Sequence, residues 1–231
     1  MKIAIIGAMD IEINFLVSKL LNKKEARLGN FTFYQGNIFD HDVIIVKSGI
    51  GKVMSGILIA TLMNNFSNID KIINVGVAGG LKPLQIADVV IGESYLFGDV
   101  DLSSIDDVPY GKMANFPLLI PSDKELLDLA PTAHRGIICT NDKFVADVEV
   151  AEEIISKFTK DYNILCFDME SAAYAQSCYF FNMPFLAIRA ISDVIGSPED
   201  DFYTNVEKAC IASNEFILDF LKNLSKYVNI F

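Results

Sequence analysis

Short β-branched runs alternate with segments whose apolar residues recur every three or four positions, from one end of this chain to the other. That alternation limits the fold more than any other feature. The strand candidates are Lys2–Ile6, Phe31–Ile38, Asp42–Lys47, Lys71–Val75, Ala87–Ile91, Arg135–Thr140, Ile164–Asp168 and Phe185–Ile191. Between them, Val53–Phe66 puts Met54, Ile57, Leu58, Thr61 and Leu62 on one helical face. Val148, Ala151, Ile154, Ile155 and Phe158 repeat the pattern behind an N-cap at Asp147. A long amphipathic helix closes the chain, with Val206, Cys210, Ser213, Phe216, Ile217, Phe220, Leu221 and Leu224 at 3–4 spacing. The link Phe39-Asp40-His41-Asp42 reads as a hairpin turn with His41 in solvent. Strands alternating with helices throughout predict an α/β protein: one domain over residues 1–231, a central mixed twisted β-sheet flanked by helices.

The composition narrows the partners. With 52% hydrophobic residues in 231, the chain can bury a sizeable core, yet no stretch approaches the roughly 18 uninterrupted apolar residues of a membrane span. The opening run Ile3-Ala4-Ile5-Ile6 is cut short by Gly7 and Asp10, too soon for a signal peptide, so a cytoplasmic protein is expected. A net charge of −11 without clustered Lys and Arg argues against nucleic acid and leaves a small molecule or another protein. Cys139, Cys166, Cys178 and Cys210 show no CxxC spacing and read as buried free thiols. With His41 and His134 as the only histidines, neither a zinc site nor a histidine-based triad is expected; no metal and no cofactor are called for.

In open α/β sheets ligands collect beyond the carboxyl ends of strands. Five such ends are unusual here: Gly7-Ala8-Met9-Asp10-Ile11-Glu12, Ser48-Gly49-Ile50-Gly51-Lys52, Gly76-Val77-Ala78-Gly79-Gly80, Asp168-Met169-Glu170, and Arg189-Ala190-Ile191-Ser192-Asp193. The fourth lies in CFDMESAAYA, residues 166–175, where an apolar run meets two carboxylates and then small residues. Buried carboxylates are costly unless paired, solvated in a pocket, or used. Each feature alone has a plain structural explanation: Glu12 complements a helix dipole, Asp193 caps a turn, the glycines punctuate the backbone. Together, Glu12, Glu170, Arg189 and Asp193 project from one edge of one sheet around a glycine-lined concavity. No glycine turn matches a dinucleotide or P-loop fingerprint.

Five ordered blocks, IIGAMDIE (5–12), KSGIGKV (47–53), NVGVAGGL (74–81), FDMESAA (167–173) and RAISDV (189–194), resemble the methylthioadenosine/S-adenosylhomocysteine nucleosidases of the purine nucleoside phosphorylase and hydrolase superfamily. The likeness runs nearly end to end. It implies hydrolysis of the N-glycosidic bond of 5'-methylthioadenosine or S-adenosylhomocysteine, giving adenine and a thioribose. Carried over position by position, Asp193 protonates adenine N7, and Glu12 holds and deprotonates the attacking water. Glu170 binds the ribose hydroxyls with help from the Met169 main chain, and Arg189 and Ser192 stand nearby. Phe144 stacks on the adenine and the Val145 backbone reads its edge. Met9, Ile50 and Phe202 form an apolar slot for the alkylthio group, and Val77 belongs to the same site. The implied partner is an adenine thionucleoside, and the resemblance together with the apolar fraction and the 98–121 stretch fits a homodimer.

The residue types suit this chemistry on their own terms. Cleaving a C–N glycosidic bond builds positive charge on the sugar, which ionised carboxylates stabilise in the transition state more than in the ground state. One carboxyl must keep a proton while another stays ionised. Apolar walls are expected to favour protonated Asp193 in the complex, and the helix start to favour ionised Glu12. Asp168 is the expected structural partner among the acids after Phe167.

The chain departs from the commoner family pattern at four places. Val77 stands where many relatives have serine, Asp168 where glutamate is frequent, Asn141 where glycine is usual, and Gly98 where histidine is expected. The loop from 195 to 201 is shortened by a residue, which leaves Tyr203 as the alternative to Phe202. Two other functions fit the same scaffold: a phosphate-dependent nucleoside phosphorylase, and a nucleoside sensor without turnover. Phosphate would need cationic or hydroxyl donors where this chain offers Asp10, Glu12 and Val77.

Overall fold

The computed structural model describes residues 1–105, 108–197 and 202–228, with the backbone alone at 202–204, 227 and 228. The elements run β1 (Lys2–Gly7), α1 (Asp10–Lys19), β2 (Leu21–Leu28), β3 (Phe31–Ile38), β4 (His41–Lys47), α2 (Lys52–Asn65), β5 (Lys71–Gly80), β6 (Val89–Phe97) and β7 (Ile120–Pro121). They continue α3 (Lys124–Leu129), β8 (His134–Thr140), α4 (Val148–Ser156), β9 (Ile164–Asp168), α5 (Ser171–Phe180), β10 (Phe185–Val194) and α6 (Phe202–Val228).

All ten strands join one mixed sheet in the order β10-β6-β8-β9-β5-β1-β4-β3-β2, with β7 beside β6. The expected flanked sheet is present, and it does more than twist. β10 pairs with β5 in parallel as well as with β6 in antiparallel fashion, so β5, β9, β8, β6 and β10 close into a ring. The remaining strands extend from β5 as an open wing through β1 and β4.

Side-chain alternation along the strands divides the core. Ala4, Ile6, Ile44 and Val46 pack with Leu58, Ile59 and Leu62 of α2 and with Ala172, Tyr174 and Cys178 of α5. Ile3, Ile5, Val43 and Ile45 face the other way, onto Ile13 and Leu16 of α1 and Ile217, Phe220, Leu221 and Leu224 of α6. All four cysteines are free and buried. Among the described residues, no helix is long and apolar enough to cross a membrane.

Several expectations need correction. β2, sequence LNKKEARL, is a strand without an apolar alternation, because it is an exposed edge whose only neighbour among the described residues is β3 and whose charges face solvent. His41 is not a solvated turn residue: it opens β4, is buried, and its Nε2 lies 3.0 Å from the Leu221 carbonyl and 2.9 Å from Ser225 Oγ. Ala87 adopts φ +71°, so the strand expected from Ala87 begins at Val89 and runs on to Phe97. β5 does not stop at Val75 but continues through the glycines to Gly80.

Candidate active site

The glycines of β5 leave room for what crosses them. A Cβ at Gly76 would lie 2.4 Å from Glu12 Oε1 and 2.8 Å from an Arg189 guanidinium nitrogen, and one at Gly79 would lie 3.0 Å from Asp193 Oδ2. Neither glycine needs a left-handed backbone. The sequence NVGVAGGL is therefore a bare strip of strand over which residues from two distant segments, the start of α1 and β10, meet.

A pocket opens above this strip. Val77, Ala78 and Gly79 of β5 line it, with Met9 and Glu12 from the β1–α1 junction, Ile50 from the turn after β4, and Lys143, Phe144 and Val145 from the segment after β8. Met169 and Glu170 enter from the β9–α5 junction and Ser192 from β10. Of the residues expected at the site, two stand behind the wall: Asp193, 7% exposed next to Gly79, and Arg189, 1% exposed. The side chain of Phe202, like that of its alternative Tyr203, lies outside the described residues. Lys143 and Phe167 line the pocket without a role having been expected of them; Lys143 borders Phe144, and Phe167 ends the apolar run before Asp168.

Glu12 is 3% exposed and accepts three backbone N–H groups. Ala8 and Met9 donate to Oε2 at 2.6 and 2.9 Å, and Val77 donates to Oε1 at 3.1 Å. The Met9 contact is half of a capping box: the third helical residue reaches back to the residue before the helix. The helix start was expected to keep this carboxyl readily ionised. Burial outweighs it and raises the pKa above the ordinary 4.5, against the opposing pull of Arg189 and the three N–H groups.

Glu170 accepts from the Gly51 N–H at 3.0 Å through Oε1, and its Oε2 lies 3.6 Å from Arg189 Nη2. Burial first, then repulsion from Asp168, push its carboxyl above the ordinary range. Asp168 takes the structural place expected of it. Its Oδ2 accepts from Arg189 Nε and Nη2 and from the Ser171 N–H that starts α5, while Oδ1 accepts from Thr140 Oγ1 at 2.6 Å. Burial works against the charge on Arg189, yet Asp168, Glu170 and Glu12 together hold it more firmly protonated than a free arginine. Asp193 Oδ1 accepts from Ser192 Oγ at 2.8 Å.

Gly98 and Asn141 share one space. A Cβ at Gly98 would lie 2.5 Å from Asn141 Oδ1 and 2.6 Å from Cys139 Sγ. Asn141, with Cys139 and Ile154, fills the space a side chain at 98 would take, so no histidine fits there.

This arrangement offers an apolar, half-open slot with one buried carboxylate at its base, a second beside it and a third adjoining through a glycine. Among the described residues, no cluster of three or more His, Cys, Asp or Glu could hold a metal ion. The model of the phosphorylase superfamily matches residues 2–222. A 5'-methylthioadenosine/S-adenosylhomocysteine nucleosidase of Anoxybacillus flavithermus is 35% identical, covering 98% of this chain and all of the relative. Among solved structures, the S-adenosylhomocysteine nucleosidase of Streptococcus pyogenes in complex with 5-methylthiotubericidin superposes with a TM-score of 0.90 at 34% identity, covering 97% of both chains. The 5'-methylthioadenosine/S-adenosylhomocysteine nucleosidase of S. pneumoniae with the transition-state inhibitor MT-ImmA gives 0.90 at 37%, covering 97% of this chain and all of that one.

Proposed function

The chain belongs to the phosphorylase superfamily, among its 5'-methylthioadenosine/S-adenosylhomocysteine nucleosidases, and from that premise we propose how its pocket hydrolyses the N-glycosidic bond of these nucleosides to adenine and a thioribose. Glu12 carries the reading. A carboxylate whose pKa burial has raised is a stronger base once ionised, and the three N–H groups orient it toward the pocket base, where a water must lose a proton. Asp193 donates a proton to adenine N7, turning an anionic leaving group neutral. Glu170 holds the ribose hydroxyls beside the Met169 main chain and stabilises the developing sugar cation. Phe144 stacks on the base, the Val145 backbone reads its edge, and Met9, Ile50 and Phe202 receive the alkylthio group. Arg189 contributes by keeping Glu170 in place and Asp168 neutralised, and Ser192 by its hydrogen bond to Asp193.

The phosphorylase alternative is disfavoured by the same atoms. Phosphate needs donors on the side of the first turn and β5, but the first turn presents Glu12, β5 presents Val77 rather than a hydroxyl, Arg189 is committed to Asp168, and Lys143 enters from the segment that carries Phe144.

The wider reading is a cytoplasmic homodimer that recycles by-products of S-adenosylmethionine chemistry in methionine salvage, each chain acting as one domain over residues 1–231, with 5'-deoxyadenosine as a further substrate. Val53 and Ile57 on α2 and Tyr179 and Phe180 on α5, all large and exposed, support a face for a second copy. Adenine release from 5'-methylthioadenosine in ¹⁸O-water tests the reaction. The expected outcome is release independent of phosphate with label in the thioribose; release that requires phosphate would overturn it.

A further inference from the structure

The two segments that bring Ile50 and Phe144 to the pocket are tied together by charges that the reaction itself does not use. Lys52 Nζ lies 2.7 Å from Asp99 Oδ1 and 3.6 Å from Asp142 Oδ2. The same three residues are crossed by backbone bonds: the Lys52 N–H donates to Asp142 Oδ1 at 2.9 Å, and the Asp142 N–H donates to Asp99 Oδ2 at 2.7 Å. Lys52 directly follows Gly51, whose N–H holds Glu170 and whose φ of +97° fixes the turn that carries Ile50. Asp142 stands two residues before Phe144. The Lys52 ammonium sits over the Phe97 ring, Nζ 5.5 Å from its centroid, and the side chain is 20% exposed.

We propose that Lys52, with Asp99 and Asp142, is a positioning residue that clamps the Ile50 turn to the Phe144 loop and so sets the width of the pocket for the nucleoside. None of the three side chains lines the pocket; they act through Ile50, Gly51 and Phe144. This rests on the nucleosidase reading for what enters the pocket. Loosening the clamp leaves Glu12 and Asp193 untouched, because their partners come from other segments, and reaches the reaction only through the Gly51 N–H that holds Glu170. Binding is therefore affected more than chemistry.

The test compares wild type with Lys52→Met, Lys52→Arg, Asp99→Asn and the double variant Lys52→Met/Asp99→Asn. Lys52→Met keeps an unbranched side chain and removes the charge, and with it both the ion pairs and the contact of Nζ with Phe97. Asp99→Asn keeps an acceptor for the Asp142 N–H, so it reads the clamp if Lys52→Met folds poorly. For 5'-methylthioadenosine, Lys52→Met is expected to raise KM by about fivefold to tenfold with kcat within about threefold, and Lys52→Arg to restore most of it. The double variant is expected to match the single ones rather than multiply them, as for groups acting as a unit. A KM within twofold of wild type for both Lys52→Met and Asp99→Asn, a fall in kcat at constant KM, or multiplicative effects would overturn the clamp. Adenine affinity by calorimetry reads it without turnover, with the same several-fold loss expected. If the wild type releases no adenine, the nucleosidase reading fails while calorimetry still decides the clamp.

Discussion

Arg189 and Asp168 form an ion pair sealed from solvent: Nε and Nη2 both donate to the single oxygen Oδ2, at 2.9 and 2.7 Å, and each side chain is about 1% exposed. The pair explains why two acids follow Phe167. Asp168 neutralises the arginine and starts α5, which leaves Glu170, one residue past Met169, facing the pocket.

Removing the cation alone strands buried negative charge. Arg189→Met is expected to destabilise the fold by about 3–5 kcal/mol, whereas Arg189→Met combined with Asp168→Asn recovers part of the loss. Urea unfolding of these two variants and of Asp168→Asn alone checks this, with unequal midpoints expected. The pairing account fails if the double variant is as unstable as the two losses added.

Both pocket carboxyls, Glu12 and Glu170, have pKa values raised in the folded state above the ordinary 4.5. The folded chain therefore binds these protons more tightly than the unfolded chain, a stabilising contribution present at low pH and lost as pH rises above 4.5. Activity runs the other way, because Glu12 must be ionised to take a proton. The acid limb of kcat/KM is expected above the ordinary carboxylate range. Across that window the stability of wild type is expected to fall relative to Glu12→Gln, measured as the gap between their thermal midpoints.

Gly98 and Asn141 form a third test. Gly98→Ala drives a Cβ to 2.5 Å from Asn141 Oδ1 and is expected to cost about 1–3 kcal/mol as overpacking. In an Asn141→Gly background the same substitution is expected to cost less, a coupling that a double-mutant cycle measures by denaturant unfolding.

Much of the architecture was legible because it rests on periodicity. The alternation that sends Ile3 and Ile5 to α6 and Ala4 and Ile6 to α2 is written in the order of residues, and Asp147 caps α4 by accepting from the Glu149 and Val150 N–H groups. The ring closure of β10 onto β5 was not legible, since pairing partners of a buried parallel strand leave no local mark. Nor was β2, whose polar sequence lacks the pattern that announces a strand. At the site, the blocks brought Glu12, Glu170 and Asp193 to one region, but burial, which raises Glu12 against its helix dipole, depends on what packs over it. The in-strand role of Gly76 and Gly79 was likewise hidden, because a glycine kept for space looks the same in sequence as one kept for a turn.

The proposed reaction sets carboxylates distant in the chain on one glycosidic bond, Glu12 as base and Asp193 as acid. Its most direct measurement is kcat/KM for 5'-methylthioadenosine in Glu12→Gln and Asp193→Asn, alongside adenine affinity to show that the pocket persists. Each substitution is expected to lower kcat/KM by about 10²-fold or more with adenine still bound. Turnover near wild type in either variant would contradict the role assigned to that residue.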